Sequence, residues 1–368
     1  MIFACVKENL INGLNIVAHI SGKNISLPIL NNILIEATDD GIVLSATNLE
    51  IGIKAKIRGK ITTKGKIAVP AKLITSFINY LPEEKIEFEL ENNELKIVSG
   101  KWQTKIKTQN TDEYPLIPRI DEKDVIIIKN NVLTSLLNQT IFAATLNESR
   151  PELSGGKLII NENKVILAAT DSYRLAEKKV EVIKENRKKN SVLIPIKTLQ
   201  ELLRILITEI KEDEVKIFWE ENQITFSSSW WELTSRLING EYPDYQQIIP
   251  EKWTTKIIAD KNEIIKAVKA TSLFTKSGIY DVIFEFKNKQ EMIIKAANSQ
   301  LGENEARINC QIEGENNMVV FNYHYILEGL ANFSNSEIIL EMTNANNPVV
   351  IKQKNDPDYL YLVMPIRQ

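Results

Sequence analysis

The 368-residue chain is poor in the residues that carry most enzyme and metal chemistry. Its two cysteines, Cys5 and Cys310, form no Cys-x-x-Cys pair and no Cys/His spacing, so neither a disulfide framework nor a zinc site is expected. Its two histidines, His19 and His324, lie far apart and outside any triad or metal motif. They read as residues at a helix end and a helix start. No GxxxxGK[ST] phosphate loop occurs; Ser154-Gly-Gly-Lys157 lacks that spacing and reads as a hairpin turn. Asp171 reads as a turn residue, not a general base. No apolar run approaches the ~20 residues that a membrane span needs. The opening MIFACVKENL has no basic start, apolar stretch and cleavage site, so no signal peptide and a cytoplasmic location are expected. A catalytic residue, a cofactor and a metal are all expected to be absent.

Excess charge is also missing. Lysine and arginine number 45 against 48 carboxylates, a net charge of −3. Proteins that hold nucleic acid by bulk electrostatics are usually basic, so any such role here needs a local basic surface or a topological device. Composition is otherwise that of an ordinary globular protein, and the length suggests two or three domains.

What the sequence does contain is repetition. Gly41-Ile-Val-Leu-Ser-Ala-Thr-Asn48 resembles Lys164-Val-Ile-Leu-Ala-Ala-Thr-Asp171 and Met292-Ile-Ile-Lys-Ala-Ala-Asn-Ser299. Ala46, Ala169 and Ala297 are then 123 and 128 residues apart. Ala68-Val-Pro-Ala-Lys72 matches Leu193-Ile-Pro-Ile-Lys197, a shift of 125. Glu113-Tyr-Pro115 with Pro118 matches Glu241-Tyr-Pro243 with Pro250. Three copies fill the chain. Proline ends strands and stiffens connections, which places the domains at 1–124, 125–250 and 251–368.

Each copy opens on a helix with a one-sided apolar face: Leu10, Leu14 and Val17; then Leu133, Leu136, Leu137 and Ile141; then Ile264, Ile265 and Val268. Strands are expected at 33–36, 42–45 and 51–57, and at 86–90, 95–99 and 104–108. Second helices begin after Pro70 and Pro195, where proline suits a helix start. Each domain therefore reads as two halves, strand–helix–three strands. The fold class is α+β, with two helices per domain on one side of antiparallel sheets. Repeated domains of this kind can close into a ring where the last interface matches the first.

Three stretches carry a family resemblance: Ala169-Thr-Asp-Ser-Tyr-Arg-Leu-Ala176, Gly240-Glu-Tyr-Pro-Asp-Tyr245 and Tyr361-Leu-Val-Met-Pro-Ile-Arg367. In order and spacing they resemble the bacterial sliding clamps, the β subunits of DNA polymerase III, over the whole chain. The resemblance implies a homodimeric ring of two head-to-tail subunits, with helices lining the hole and sheets outside. It implies a processivity factor that hydrolyses nothing. The implied partners are double-stranded DNA, the DNA polymerase III α subunit, the clamp loader, and other polymerases, ligase and mismatch-repair proteins. No membrane is involved.

Site residues follow by position. The partner-peptide groove would comprise Leu153, Thr170, Ser172, Tyr173, Arg174 and Leu175, then Pro243, Gln247 and Ile248, then Leu362, Val363, Met364, Pro365, Ile366 and Arg367. Tyr173 and Gln247 stand where relatives carry histidine and arginine. Leu175 and Val363 read equally as core strand residues. Lys72, Lys197 with Arg204, and Lys266 with Lys269 lie on helix faces that either meet phosphates or are simply solvated. The resemblance adds Arg150 and Lys23 in loops that would face DNA. For the subunit interface, Ile106, Leu273 and Phe274 are candidates, with burial inside their own domains as the other reading. An alternative function is a protein-interaction scaffold of the same repeat that binds no DNA.

Overall fold

The computed structural model describes every residue except 23–25, 83, 147–148, 186–190, 209–213, 277, 288–289 and 368. The first repeat runs β1 (Ile2–Val6), α1 (Lys7–Val17), β2 (Asn32–Thr38), β3 (Gly41–Thr47), β4 (Ile51–Ile57), β5 (Gly59–Thr63), β6 (Gly65–Pro70), α2 (Ala71–Tyr80), β7 (Lys85–Glu91), β8 (Glu94–Ser99) and β9 (Trp102–Lys107). The second runs β10 (Ile126–Lys129), α3 (Asn130–Asn138), β11 (Gly155–Asn161), β12 (Lys164–Thr170), β13 (Arg174–Glu181), β14 (Lys184–Glu185), β15 (Ser191–Pro195), α4 (Ile196–Thr208), β16 (Glu214–Glu220), β17 (Gln223–Ser227) and β18 (Trp231–Arg236). The third runs β19 (Thr255–Asp260), α5 (Lys261–Ser272), β20 (Asp281–Lys287), β21 (Glu291–Asn298), β22 (Gly302–Asn309), β23 (Gln311–Gly314), β24 (Asn317–Asn322), α6 (Tyr323–Ala331), β25 (Glu337–Met342), β26 (Val349–Gln353) and β27 (Asp356–Val363).

The strand–helix–three-strand halves are present, with one addition. A short strand, β5, β14 or β23, follows each first half and pairs back onto β1, β10 or β19. Pattern reading missed it because β5 is solvent-exposed along most of its length and carries no apolar alternation. The expected hairpin at Ser154-Gly-Gly-Lys157 is also corrected: Gly155 and Gly156 open β11. A Cβ on Gly155 would lie 2.3 Å from the Ile194 carbonyl oxygen, so glycine here permits close strand packing.

The third repeat is out of step with its expected register by one residue. Ala46 and Ala169 face inward, but in β21 the inward set is Met292, Ile294 and Ala296, while Ala297 is exposed. Ala296 is therefore the equivalent of Ala46, because a one-residue slip exchanges the two faces of a strand.

Local chemistry repeats as well as topology. After β3, Thr47 Oγ donates to the Ile51 carbonyl at 3.0 Å, and Asn48 Oδ1 accepts the Ile51 N–H at 2.7 Å. After β12, Thr170 Oγ donates to the Arg174 carbonyl at 2.6 Å, and Asp171 Oδ1 accepts the Arg174 N–H at 3.0 Å. Leu49 and Ser172 take the same left-handed backbone, at φ 75° and 79°. Each turn holds its strand pair by side-chain to backbone bonds. The two Tyr-Pro segments are tied down alike: Tyr114 reaches the Ser45 carbonyl at 3.2 Å and Tyr242 the Ala168 carbonyl at 3.5 Å.

The described residues form two compact units. One holds the first repeat with β10, β14 and β16 to β18; the other holds β11 to β13, β15 and the third repeat. Within the first, β18 pairs antiparallel with β4, making a nine-stranded sheet in the order β14-β10-β16-β17-β18-β4-β3-β2-β6. Within the second, β27 pairs with β13 in the same manner, in the order β15-β11-β12-β13-β27-β26-β25-β19-β23. In each case the last strand of one repeat joins the fourth strand of the repeat before it.

Candidate functional site

The expected groove residues all lie in the second unit, where β13 meets β27. The pairing sets Arg174 opposite Val363 and Leu175 opposite Leu362. They divide into a buried set and an exposed or half-buried set. Leu153, Leu175 and Leu362 are buried in one apolar cluster with Tyr242 and Tyr245, and Met364 packs on its edge. Thr170 and Val363 are buried too. Leu175 and Leu362 are fully buried and Leu153 nearly so, so the structure places all three in the core and not on the surface of a groove. Ser172, Tyr173, Gln247 and Ile248 are exposed, and Pro243, Pro365 and Ile366 are half-buried.

The tail beyond β27 is fixed by its backbone. Met364 N–H donates to the Tyr173 carbonyl and Ile366 N–H to the Val320 carbonyl, both at 2.8 Å. This leaves a cavity of about 530 Å³ lined by Ser172, Tyr173, Asn322, Tyr325, Met364, Pro365, Ile366 and Arg367. Asn322 caps α6 by accepting the His324 N–H, and Tyr325 stacks on Tyr173 with ring centroids 6.4 Å apart. Sequence reading missed Asn322 and Tyr325, because nothing local in α6 points to β13, about 150 positions earlier. The pocket suits an apolar side chain, with methionine and tyrosine walls that adapt to its shape.

Arg174 is the groove's internal strut. Its Nε donates to Asp171 Oδ2 at 3.0 Å, Nη2 donates to the Phe142 carbonyl at 3.0 Å, and Nη1 pairs with Glu328. Its guanidinium carbon lies 4.7 Å from the Tyr325 ring centroid. Burial opposes its charge, yet the bond to Glu328 and the nearby Asp171 raise its pKa above the ordinary arginine value. Replacing Arg174 with alanine leaves the buried Asp171 and the Phe142 carbonyl without their charged donor. We expect a destabilisation of about 3 kcal/mol, at the low end for a broken buried pair because Glu328 is half solvated. Thermal or denaturant unfolding measures it.

The first repeat builds the same junction. At the positions of Leu153, Thr170 and Leu175 stand Leu30, Thr47 and Gly52. A Cβ on Gly52 would lie 2.6 Å from Ile117 Cγ2, so the linker's own side chain fills the space. Opposite, β18 presents Thr234 and Ser235 where β27 presents Leu362 and Val363. In both junctions the residue three after the Tyr-Pro tyrosine packs at this position, Ile117 against Gly52 and Tyr245 in the cluster with Leu175.

The expected DNA-facing residues are less uniform than their repetition suggests. Lys72, Lys197, Lys266 and Lys269 are exposed on α2, α4 and α5. Arg204 is half-buried, and its guanidinium donates to the Asn15 and Ile16 carbonyls at 2.9 and 2.8 Å, at the end of α1. It is thus a helix-end cap and not an equal of Lys197. Arg150 bonds Glu152 at 3.1 Å and the Ser172 hydroxyl at 3.3 Å, joining its loop to the groove. Lys23 lies outside the described residues. Of the interface candidates, Ile106 is buried in its own sheet, Phe274 packs on the third repeat's core, and Leu273 is 71% exposed.

Among the described residues, no group of three or more histidine, cysteine, aspartate or glutamate side chains could hold a metal ion. Burial pushes the Cys5 thiol up to about 12, and burial with Glu291 nearby pushes Cys310 up to about 11, so both stay protonated. No described helix is long and apolar enough to cross a membrane.

A three-repeat α+β chain with a pocket between the turn before β13, the start of α6 and the tail after β27 defines a recognisable class. Residues 1–118, 127–244 and 246–367 match the families described as DNA polymerase III beta subunit, N-terminal, central and C-terminal domain. The beta sliding clamp of Bacillus subtilis (strain 168) is 32% identical over 379 residues, covering all of both chains. That of Staphylococcus epidermidis is 29% identical, covering 100% of this chain and 99% of its own. The crystal structure of the Bacillus subtilis DNA polymerase sliding clamp superposes with a TM-score of 0.94 at 30% identity, covering 100% of this chain and 99% of the other. The Thermotoga maritima DNA polymerase III beta subunit gives 0.93 at 27%, with full coverage of both. The chain belongs to the DNA polymerase III beta subunit family, the beta sliding clamps.

Proposed function

We propose that two copies of this chain close head to tail into a ring around duplex DNA and tether the replicative polymerase there. Each copy contributes three clamp domains, 1–124, 125–250 and 251–368. The ring catalyses nothing; it raises processivity by preventing escape. The clamp loader opens it, and the DNA polymerase III α subunit, other polymerases, ligase and mismatch-repair proteins dock peptides in the pocket beside Tyr173 and the tail after β27. Lys72, Lys197, Lys266 and Lys269 face the phosphates, with Arg150 as a further contact, and Lys23, outside the described residues, is proposed for the same role from the family resemblance alone. Contacts of this kind are non-specific and allow sliding.

The observation that carries the ring is a strand pairing made twice within the chain and left open once. β4 receives β18, and β13 receives β27. The remaining equivalents are β22, an edge strand of its sheet, and β9, an edge strand of another. Transferring the Leu233–Ile53 register, with Ala296 in the place of Ala46, sets Trp102 against the partner's Ala306, Thr104 against the partner's Asn304, and Lys105 against the partner's Glu303. Inward residues then meet inward residues along both strands. Trp231, at the equivalent position in β18, is 2% exposed, whereas Trp102 is 51% exposed. The open edge is where Trp102 lacks its cover. Leu273 and Phe274, just after α5 of the third repeat, would join the same interface, with Ile106 on the core-facing side of β9.

Charge exchange tests the register. Lys105→Glu faces the partner's Glu303 with a like charge, and Glu303→Lys does the converse. We expect each to weaken the dimer about tenfold, since each like-charge pair opposite costs up to ~1 kcal/mol and a ring has two. The double variant is expected to recover most of the loss in sedimentation equilibrium. A double variant as weak as the two losses combined would contradict the β9–β22 pairing. The scaffold reading, in which no DNA is bound, leaves the exposed lysines on three helices without a role.

A further inference from the structure

The chain's net charge of −3 hides a strongly basic segment. Residues 51–82 hold seven lysines and arginines and no carboxylate. Four of them, Lys54, Lys56, Arg58 and Lys60, occupy alternate positions where β4 runs into β5. In β4, Ile53, Ala55 and Ile57 are buried while Lys54 and Lys56 are not, which places the lysines on the face turned away from the core. Helix α1 covers the opposite face: a Cβ on Gly13 would meet Ile57 and Leu44 at 2.7 and 2.9 Å. Arg58 follows, exposed, and Lys60 lies opposite Ala4 in β1, again on the solvent side. Two residues of extended chain advance roughly 7 Å, so the four charges make a row about 20 Å long.

Ion pairing does not neutralise the row. Lys54 lies 3.6 Å from Glu232, but Lys56, Arg58 and Lys60 form no salt bridge among the described residues. The other repeats supply an internal control. At the positions of Lys54, Lys56 and Arg58 the second repeat carries Glu177, Lys179 and Glu181, and the third Glu305, Arg307 and Asn309. The same backbone forms with mixed or neutral residues there, so folding does not require four cations. Lysines do guard exposed strand edges against aggregation, but Lys54 and Lys56 lie in β4, which is paired on both sides.

We propose that Lys56, Arg58 and Lys60, extended by Lys54, form a second DNA-binding surface that takes the phosphate backbone of a strand passing outside the ring. The occupant must be an extended polyanion, because a linear row of cations at even spacing matches a chain of phosphates better than a compact anion. DNA is the polyanion at hand if the chain is a sliding clamp, and in that sense the inference rests on the proposed function. The sheet face opposite the helices is then the outer wall, remote from the DNA in the hole.

A covalently closed single-stranded DNA circle, offered without loader, separates this surface from the hole, since a closed ring cannot thread a closed circle. Anisotropy of a labelled circle is expected to show binding at low salt. The variant Lys56→Glu/Arg58→Glu/Lys60→Glu is expected to lose at least about tenfold in affinity, and to lower the slope of log K against log salt by roughly 2, at ~0.7 per lost phosphate contact on single strands. The glutamine triple variant is expected to give the same slope change without charge reversal. Unchanged binding in both variants, or no binding of the native protein, would overturn the proposal. So would equal competition by poly-glutamate, which would make the surface a site for acidic protein. Both variants are expected to load on nicked circular DNA and stay there after salt is raised, so a failure of the sliding-clamp reading would show separately.

Discussion

Trp102→Ala is expected to sediment as single chains at low micromolar concentration, where the native protein is expected to sediment as a pair. In the single chain Trp102 is half exposed, so its loss leaves the fold of β9 and its neighbours intact. In the ring it would be covered as Trp231 is covered by β4. Burying the remaining surface of a tryptophan contributes about 2 kcal/mol, and dissociation exposes two of them. The dimer is then weaker by about 4 kcal/mol, roughly a thousandfold. Unfolding midpoints measured at a concentration where both proteins are monomeric separate assembly from stability: they are expected to agree. A native-like dimer in the variant would mean that β9 is not the closing edge.

The second large effect concerns the groove. Met364 lines the pocket and packs on the buried Leu153–Leu175–Leu362 cluster, and its backbone holds the tail to Tyr173. Met364→Ala is expected to weaken a partner-derived peptide with a leucine or phenylalanine anchor by more than tenfold, from a loss of about 1.5–2 kcal/mol of apolar contact. Removing the last five residues takes away Met364, Pro365, Ile366 and Arg367 together, along with the Ile366 bond to Val320. Peptide binding is then expected to fall below detection in calorimetry while the circular dichroism spectrum is unchanged. Undiminished affinity in the truncated protein would place the docking site elsewhere.

Much of this arrangement is legible in the sequence because repetition makes local signals reinforce one another. The stripes Leu10-Leu14-Val17 and Ile264-Val268 lie on the buried faces of α1 and α5. Thr170-Asp171 forms the turn its residue types favour, and Pro70 and Pro195 precede α2 and α4 as expected. What failed has physical causes. Similar side chains on both faces of β21 concealed its register, so Ala297 stood in for Ala296. A glycine pair that serves close packing in β11 looks like a turn, since glycine permits both. Arg204 looked like a solvated cation because its acceptors, the carbonyls of Asn15 and Ile16, belong to another repeat. Ser172, Tyr173 and Met364 to Arg367 share one cavity as expected, but Asn322 and Tyr325 are joined to it only by tertiary packing. Trp102 gave no signal in isolation; its meaning comes from comparison with Trp231.

Retention on DNA of different topology tests the central claim most directly. The protein is placed on nicked circular DNA by an active loader, the salt is raised, and the circle is then cut. Phosphate contacts weaken steeply as counterions return, so a surface binder leaves as the salt rises. The account predicts that the protein stays on the circle at high salt and runs off only after the cut. Loss from the uncut circle, under a loader that retains a control clamp, would contradict it.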